Sequence, residues 1–165
     1  MFNKILVAFD GSDHAKWALD KAIQIAKQND SAEIIVYYAI RHHFRPMRML
    51  PFPFLSPTND DPLALDPAAE QQVYQSHKEL AERVLKEAGK KLKDGQVKGR
   101  LELVENSSPV DAAEELVEKE GIDLVIVGAR GVHNAVERVL LGSVSSGIVN
   151  HVCSNILVMR SECGI

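Results

Sequence analysis

The chain has 165 residues, of which 45% are hydrophobic and 25% charged, and a formal net charge of −4. That length fits one domain, residues 1–165, with a sizeable core, and the acidic balance argues against a nucleic-acid partner, which needs a basic face. No apolar segment approaches the roughly 18 residues that span a bilayer, so a membrane partner is not expected either.

The opening Met1-Phe2-Asn3-Lys4 lacks the features of a signal peptide and runs straight into Ile5-Leu6-Val7-Ala8-Phe9, a short apolar run. Such a run, ended by Asp10-Gly11, is expected of a strand buried on both faces. Ser12 or Asp13 then caps a helix whose apolar positions Ala15, Ala18, Leu19, Ala22, Ile25 and Ala26 keep helical spacing. A second buried strand is read over residues 34–40. Residues 42–67 follow and hold six of the seven prolines together with Phe44, Phe52, Phe54, Met47 and Met49. A loop this long is unusual in a compact domain. Three readings stand for it: packing without a specific role, a lid, or part of a subunit contact.

A long amphipathic helix is expected from about residue 67 to 92, with Val73, Leu80, Ala81, Val84, Leu85, Ala88 and Leu92 on its apolar face. Lys86, Lys90, Lys91 and Lys93, interleaved with Glu87 and Asp94, form its solvated face. The strand expected around residues 97–104 is polar between its apolar positions, which suits a sheet edge. Ser108-Pro109-Val110-Asp111 is a helix start: a capping hydroxyl, a proline at the first position, and an acid facing the positive dipole end. That helix should end at Gly121. A strand over 122–127, a helix over 143–151 and a last strand over 156–159 complete the order. Alternating strands and crossover helices require an α/β fold with a parallel sheet and helices on both faces.

The most informative stretch is Gly128-Ala129-Arg130-Gly131, then ten residues, then Gly142-Ser143-Val144-Ser145. It begins where a buried strand ends and closes at a helix start. Glycines let the backbone approach an anion, and a helix start offers unpaired N–H donors. Ser143 adds a hydroxyl and Arg130 a compensating charge. The bland alternative is a tight turn followed by a cap. Rival phosphate motifs fail: no glycine precedes a Lys-Ser/Thr pair in the P-loop frame, and the first strand ends in Asp10-Gly11-Ser12 rather than G-x-G-x-x-G. Asp10 stands where open α/β sheets bind ligands; it is either a ribose or adenine acceptor or a turn-former before Gly11. Ala8 occupies the position where a dehalogenase-type phosphatase carries its nucleophilic aspartate, so that chemistry is absent.

Together, Lys4-Ile5-Leu6-Val7-Ala8-Phe9-Asp10-Gly11-Ser12, Asp123-Leu124-Val125-Ile126-Val127-Gly128 and Gly128-x-x-Gly131…Gly142-Ser143 resemble the nucleotide-binding branch of the universal stress protein family. The resemblance covers nearly the whole chain except the proline-rich segment. It implies an adenine-nucleotide α-hydrolase-like fold: an open five-stranded parallel sheet of order 3-2-1-4-5. It also implies ATP or a related adenine nucleotide as ligand, with Mg2+ arriving on the nucleotide. Asp10 and the backbone of Ala39 are then expected to hold the nucleoside. Val127 and Gly128 line the floor, and Gly131, Gly142, Ser143 and Val144 wrap the phosphates, with Arg130 and Ser145 counted in the same nucleotide site. Ten residues separate Gly131 from Gly142 where the family pattern has nine, so the resemblance secures Gly131 least. Asn155 stands where relatives often have proline. A homodimer through the last strand (Ile156, Leu157, Val158, Met159) is implied as well.

No residue is placed as a base for water, so the expected role is a nucleotide-dependent regulatory or stress-response switch with at most slow ATP hydrolysis. The alternatives are a slow ATPase and a nucleotide-free dimeric adaptor that recognises a protein through residues 42–67. The histidines, among them His42, His43, His133 and His151, show no ligand spacing for a metal. With two cysteines a reducing, cytoplasmic location is expected; Cys153 is read as a small buried residue, and Cys163 lies in the tail. Trp17 is read as either core or surface.

Overall fold

The computed structural model describes residues 1–41, 67–130 and 141–160. Across them strands and helices alternate: β1 (Lys4–Ala8), α1 (Asp13–Ala26), β2 (Glu33–Ile40), α2 (Pro67–Asp94), β3 (Lys98–Glu105), α3 (Pro109–Glu120), β4 (Leu124–Gly128), α4 (Ser143–His151) and β5 (Asn155–Met159). The strands form one parallel sheet of order β3-β2-β1-β4-β5, as expected.

Each central strand is apolar over its buried stretch because both faces are covered. Ile5, Val7, Ile34, Val36 and Ile126 pack under α1 and α2. Their neighbours Leu6, Ile35, Tyr37, Val125 and Val127 turn the other way and pack under α3 and α4. Fully burying one such aliphatic side chain contributes about 1.5–3 kcal/mol. β3 lies at the sheet edge, where every residue is exposed or half-buried and none is fully buried, which explains its mixed sequence. Charge accumulates where its first residues meet β2 and α3: Arg100 approaches Glu33, Glu102 and Glu120.

The helix boundaries follow local chemistry. Between the two capping candidates for α1 the structure selects Ser12, whose Oγ accepts from the Ala15 N–H at 3.2 Å. Ser108 caps α3 in the same way through the Asp111 N–H at 3.1 Å, with Pro109 at the first turn. Gly121 ends α3 in the left-handed region at φ 66°, its N–H returning to Val117 O.

Two expectations need correction, and the open reading of Trp17 is resolved. On α2 the inward stripe is Tyr74, Ala81, Leu85, Ala88 and Leu92, while Val73 and Leu80 are 41% and 48% exposed. Each precedes a buried residue by one position, a rotation of about 100° round the helix. Cys153 is exposed. The extended residue Val152 takes the inward position after α4, so its successor points outward. Trp17 sits on the surface at 39% exposure, its ring edge-on to His14. Residues 42–66, and with them His42, His43 and the readings of that segment, lie outside the described residues, as do Gly131, His133 and Cys163. Among the described residues no helix is long and apolar enough to cross a membrane.

Candidate functional site

β1 and β4 are neighbours at the centre of the sheet, but β1 leads away toward β2 and β4 toward β5. Their carboxyl ends therefore part, and a crevice opens between the chains that leave them. The structure has a cleft of about 420 Å3 there. It brings together Asp10, Ala39, Val127, Gly128, Arg130, Gly142, Ser143, Val144 and Ser145, every described residue that the sequence had singled out.

Asp10 ends the β1 turn. One of its carboxylate oxygens accepts from the Ser12 N–H at 3.0 Å, while Gly11 adopts φ 79°. The turn-forming role of Asp10 and its place in the cleft are thus compatible. Beside it, the start of α1 lies against the end of β4. A Cβ built on Gly128 would stand 2.8 Å from His14 C and Cβ and 2.9 Å from Ala15 N. Glycine at 128 is accordingly a packing requirement of α1, whatever else it does.

Strand parity explains Ala39. The Glu33 N–H bonds to Asn3 O, and Tyr37 O accepts from the Phe9 N–H at 3.1 Å, so odd positions of β2 direct their backbone groups toward β1. β1 has ended by the level of Ala39, whose register partner lies on the other side, at Val104 of β3. The Ala39 N–H and C=O consequently edge the cleft, with no backbone partner among the described residues.

On the opposite side α4 begins. Gly142 is its N-cap and supplies no side-chain cap; the first bond within the helix is from Ser146 N to Gly142 O at 2.9 Å. The N–H groups of Ser143, Val144 and Ser145 have no backbone acceptor among the described residues, and these residues line the cleft. Ala129 holds this helix start in place. Its N–H donates to Met159 O and its carbonyl accepts from Gly142 N, both at 2.7 Å. The buried Ser145 hydroxyl lies 3.0 Å from both Ala129 O and Gly142 O, so its single proton goes to bracing the turn. Arg130 reaches the cleft between these parts, and its carbonyl accepts from Ser12 Oγ at 3.4 Å.

Several cleft residues were not legible as such. Tyr38, half-buried, lies close enough to Asp10 that burial and then the carboxylate charge both raise its ionisation above the usual tyrosine value. Tyr37 is driven up further by burial alone, and its hydroxyl donates to Pro109 O at 2.7 Å, seating α3 against β2. Leu80 and Val84 reach the cleft from α2 and Pro109 from α3. Tyr38 was one position from a residue already named, whereas Leu80 and Val84 looked like ordinary helix core. Among the described cleft residues Asp10 is the one carboxylate and Arg130 the one cation. No cluster of three metal-ligating side chains forms among the described residues.

Comparison with known proteins gives a consistent picture. The model of the universal stress protein family matches residues 1–160. A universal stress protein of Staphylococcus haemolyticus is 31% identical over 161 residues, 98% of this chain and 86% of its own. One from Staphylococcus epidermidis is 32% identical over the same shares. Among solved structures, the universal stress protein UspA of Lactobacillus plantarum superposes with TM-score 0.73 at 22% identity, over 96% of this chain and 98% of its own. Solved structures of similar fold include nucleotide complexes. The Arabidopsis thaliana protein has AMP bound (TM-score 0.64, 17% identity, 98% and 93% covered). The Archaeoglobus fulgidus protein is a dAMP complex (TM-score 0.63, 15% identity, 97% and 98% covered).

Proposed function

Because the chain belongs to the universal stress protein family, we propose that it binds an adenine nucleotide, ATP foremost, in the cleft between β1 and β4 and acts as a nucleotide-dependent regulatory switch. The observation that carries this reading is the uncapped start of α4, with its first-turn N–H groups on the cleft wall beside Arg130. A helix terminus with unpartnered donors and a positive dipole end suits a phosphate chain. Across the cleft, the Ala39 N–H and C=O offer a donor beside an acceptor, complementary to the ring nitrogen and amino group of adenine. Asp10, between them, suits the ribose hydroxyls. The nucleotides held by relatives of the same fold support the same class of ligand.

Gly142, Ser143 and Val144 then meet the phosphates, Val127 and Gly128 floor the site, and Ser145 braces it. Gly131 belongs to this set by resemblance alone. Mg2+ would be held mainly by the phosphates, since one carboxylate already tied to Ser12 makes no cation cage. With no second acid or histidine among the described cleft residues to activate water, occupancy rather than turnover is the signal. The whole chain acts as one domain in this reading, located in the cytoplasm, and β5, an edge strand, pairs two copies into a homodimer.

Calorimetric titration of the purified chain with ATP, AMP and cyclic AMP tests the proposal. Saturable binding at or below millimolar concentration, abolished by Gly142→Ala with Ser143→Ala in a folded variant, is expected. Absence of binding by all three nucleotides overturns it.

A further inference from the structure

We infer that Leu80 and Val84 of α2, which lie outside the glycine-rich segment altogether, form the wall against which the flat face of a purine base rests, and so set the base selectivity of the cleft. The inference rests on the nucleotide reading above and adds the residues that distinguish one base from another.

The geometry starts at Ala39. Its N–H and C=O lie in the plane of the sheet, at the edge that β1 has vacated. A base paired to that edge continues the sheet plane, and its two faces point where side chains of the strands point, toward α1 and α2 on one side and α3 on the other. On the α3 side stands Pro109; on the α2 side stand Leu80 and Val84, all three lining the cleft. Leu80 and Val84 are one helical turn apart, about 5–6 Å between their Cβ atoms, a span closer to a fused purine than to a single ring.

The burial pattern along α2 separates Leu80 from the core, while the half-buried Val84 bridges core and cleft. Ala81, Leu85 and Ala88 are fully enclosed, whereas Leu80 is 48% exposed and borders the cleft. Val73 is similarly exposed one heptad earlier but borders no part of the cleft, which makes it an internal control. Val84 lies over the β1–α1 turn: a Cβ built on Gly11 would meet both of its methyl groups at 3.4 Å. The apolar wall is therefore continuous with the Asp10 turn, so a base on Leu80 and a ribose on Asp10 are compatible in one ligand. Apolar side chains above a planar ring exclude water from its face, while its polar edge is satisfied by Ala39.

The test compares ligands with and without a base. ATP, CTP and inorganic tripolyphosphate are titrated by calorimetry into the native chain, Leu80→Ala, Leu80→Gln and Val73→Ala, with circular dichroism and thermal melting to verify folding. Leu80→Ala is expected to weaken ATP binding about tenfold, equivalent to about 1.4 kcal/mol, with a smaller loss for CTP and tripolyphosphate within twofold of native. Leu80→Gln should reproduce the pattern at conserved length, and Val73→Ala should match the native chain. If ATP affinity in both Leu80 variants stays within twofold of native, the wall is refuted while the nucleotide reading stands. Equal losses for ATP and tripolyphosphate also refute it. A native chain that binds no adenine nucleotide overturns the nucleotide reading itself, and the wall with it.

Discussion

Gly128→Ala offers a test of how the site is built. The added methyl carbon would sit 2.8 Å from His14 C and Cβ and 2.9 Å from Ala15 N. Two of these three atoms are backbone, so no side-chain rotation relieves the contact. Ordinary carbon contacts begin near 3.5 Å, so the first turn of α1 must retreat by several tenths of an ångström. Ser12 is the cap of that turn and accepts from Ala15, and Asp10 is tied to Ser12, so the shift propagates directly into the cleft. Overpacking of this kind costs about 1–3 kcal/mol. In a domain of this size each kcal/mol lowers Tm by about 2–4 °C, so a fall of about 4–8 °C is expected for the middle of the range. Urea unfolding by circular dichroism measures the stability, and ATP titration of the same sample measures the site. Stability within about 0.5 kcal/mol of native, inside the range of neutral surface changes, would refute the steric argument.

Further outcomes follow from other contacts. Ser145→Ala removes a buried hydroxyl that braces Ala129 and Gly142, whose carbonyls keep their backbone donors, and should cost about 0.5–1.5 kcal/mol in denaturant unfolding without loss of secondary structure. Tyr37 and Tyr38 both ionise above the usual value of 10.0 in the folded chain. The folded state therefore keeps protons that the unfolded state releases, and stability present below pH 10 should decline as pH rises above it. Urea midpoints should hold between pH 8 and 9, begin to fall toward pH 10 and fall most between pH 10 and 11; a midpoint that rises there contradicts the assignment. For the proposed dimer, Val158→Lys puts a charge on edge strand β5 and should shift the mass measured by light scattering to that of a monomer. A dimer that persists removes β5 from the interface.

Much of the architecture could be read from residues because several signals agreed. Continuous apolar runs marked the strands buried on both faces, and the mixed run near residue 100 marked the edge. Ser108-Pro109 and Gly121 bounded α3 through capping chemistry that is local in sequence. The misreadings arose where the answer depends on rotation or level in three dimensions. Periodicity placed Leu80 on the apolar side of α2 but could not resolve a turn of about 100° between core and cleft. Cys153 looked inward because it follows an apolar helix, whereas Val152 already fills the inward position. The role of Ala39 depends on where β1 stops relative to β2, and pair register is not written in either strand alone. Bracing by Ser145 was hidden for a similar reason: its acceptor Ala129 lies sixteen residues away.

The 2.7 Å bond from Gly142 N to Ala129 O gives the intervening span a boundary condition. The chain leaves at Arg130 and re-enters at Leu141 through ends fixed by that bond, by Met159 and by Ser145. For a flexible chain, adding a residue between fixed ends changes the closure entropy only slowly. For one residue more than nine, that entropy amounts to only about 0.1 kcal/mol. The tenth residue between Gly131 and Gly142 is thus thermodynamically almost silent at the α4 terminus. The donors at Ser143 and Val144 are held in register with the sheet by Ala129, through bonds made at the two ends of the span.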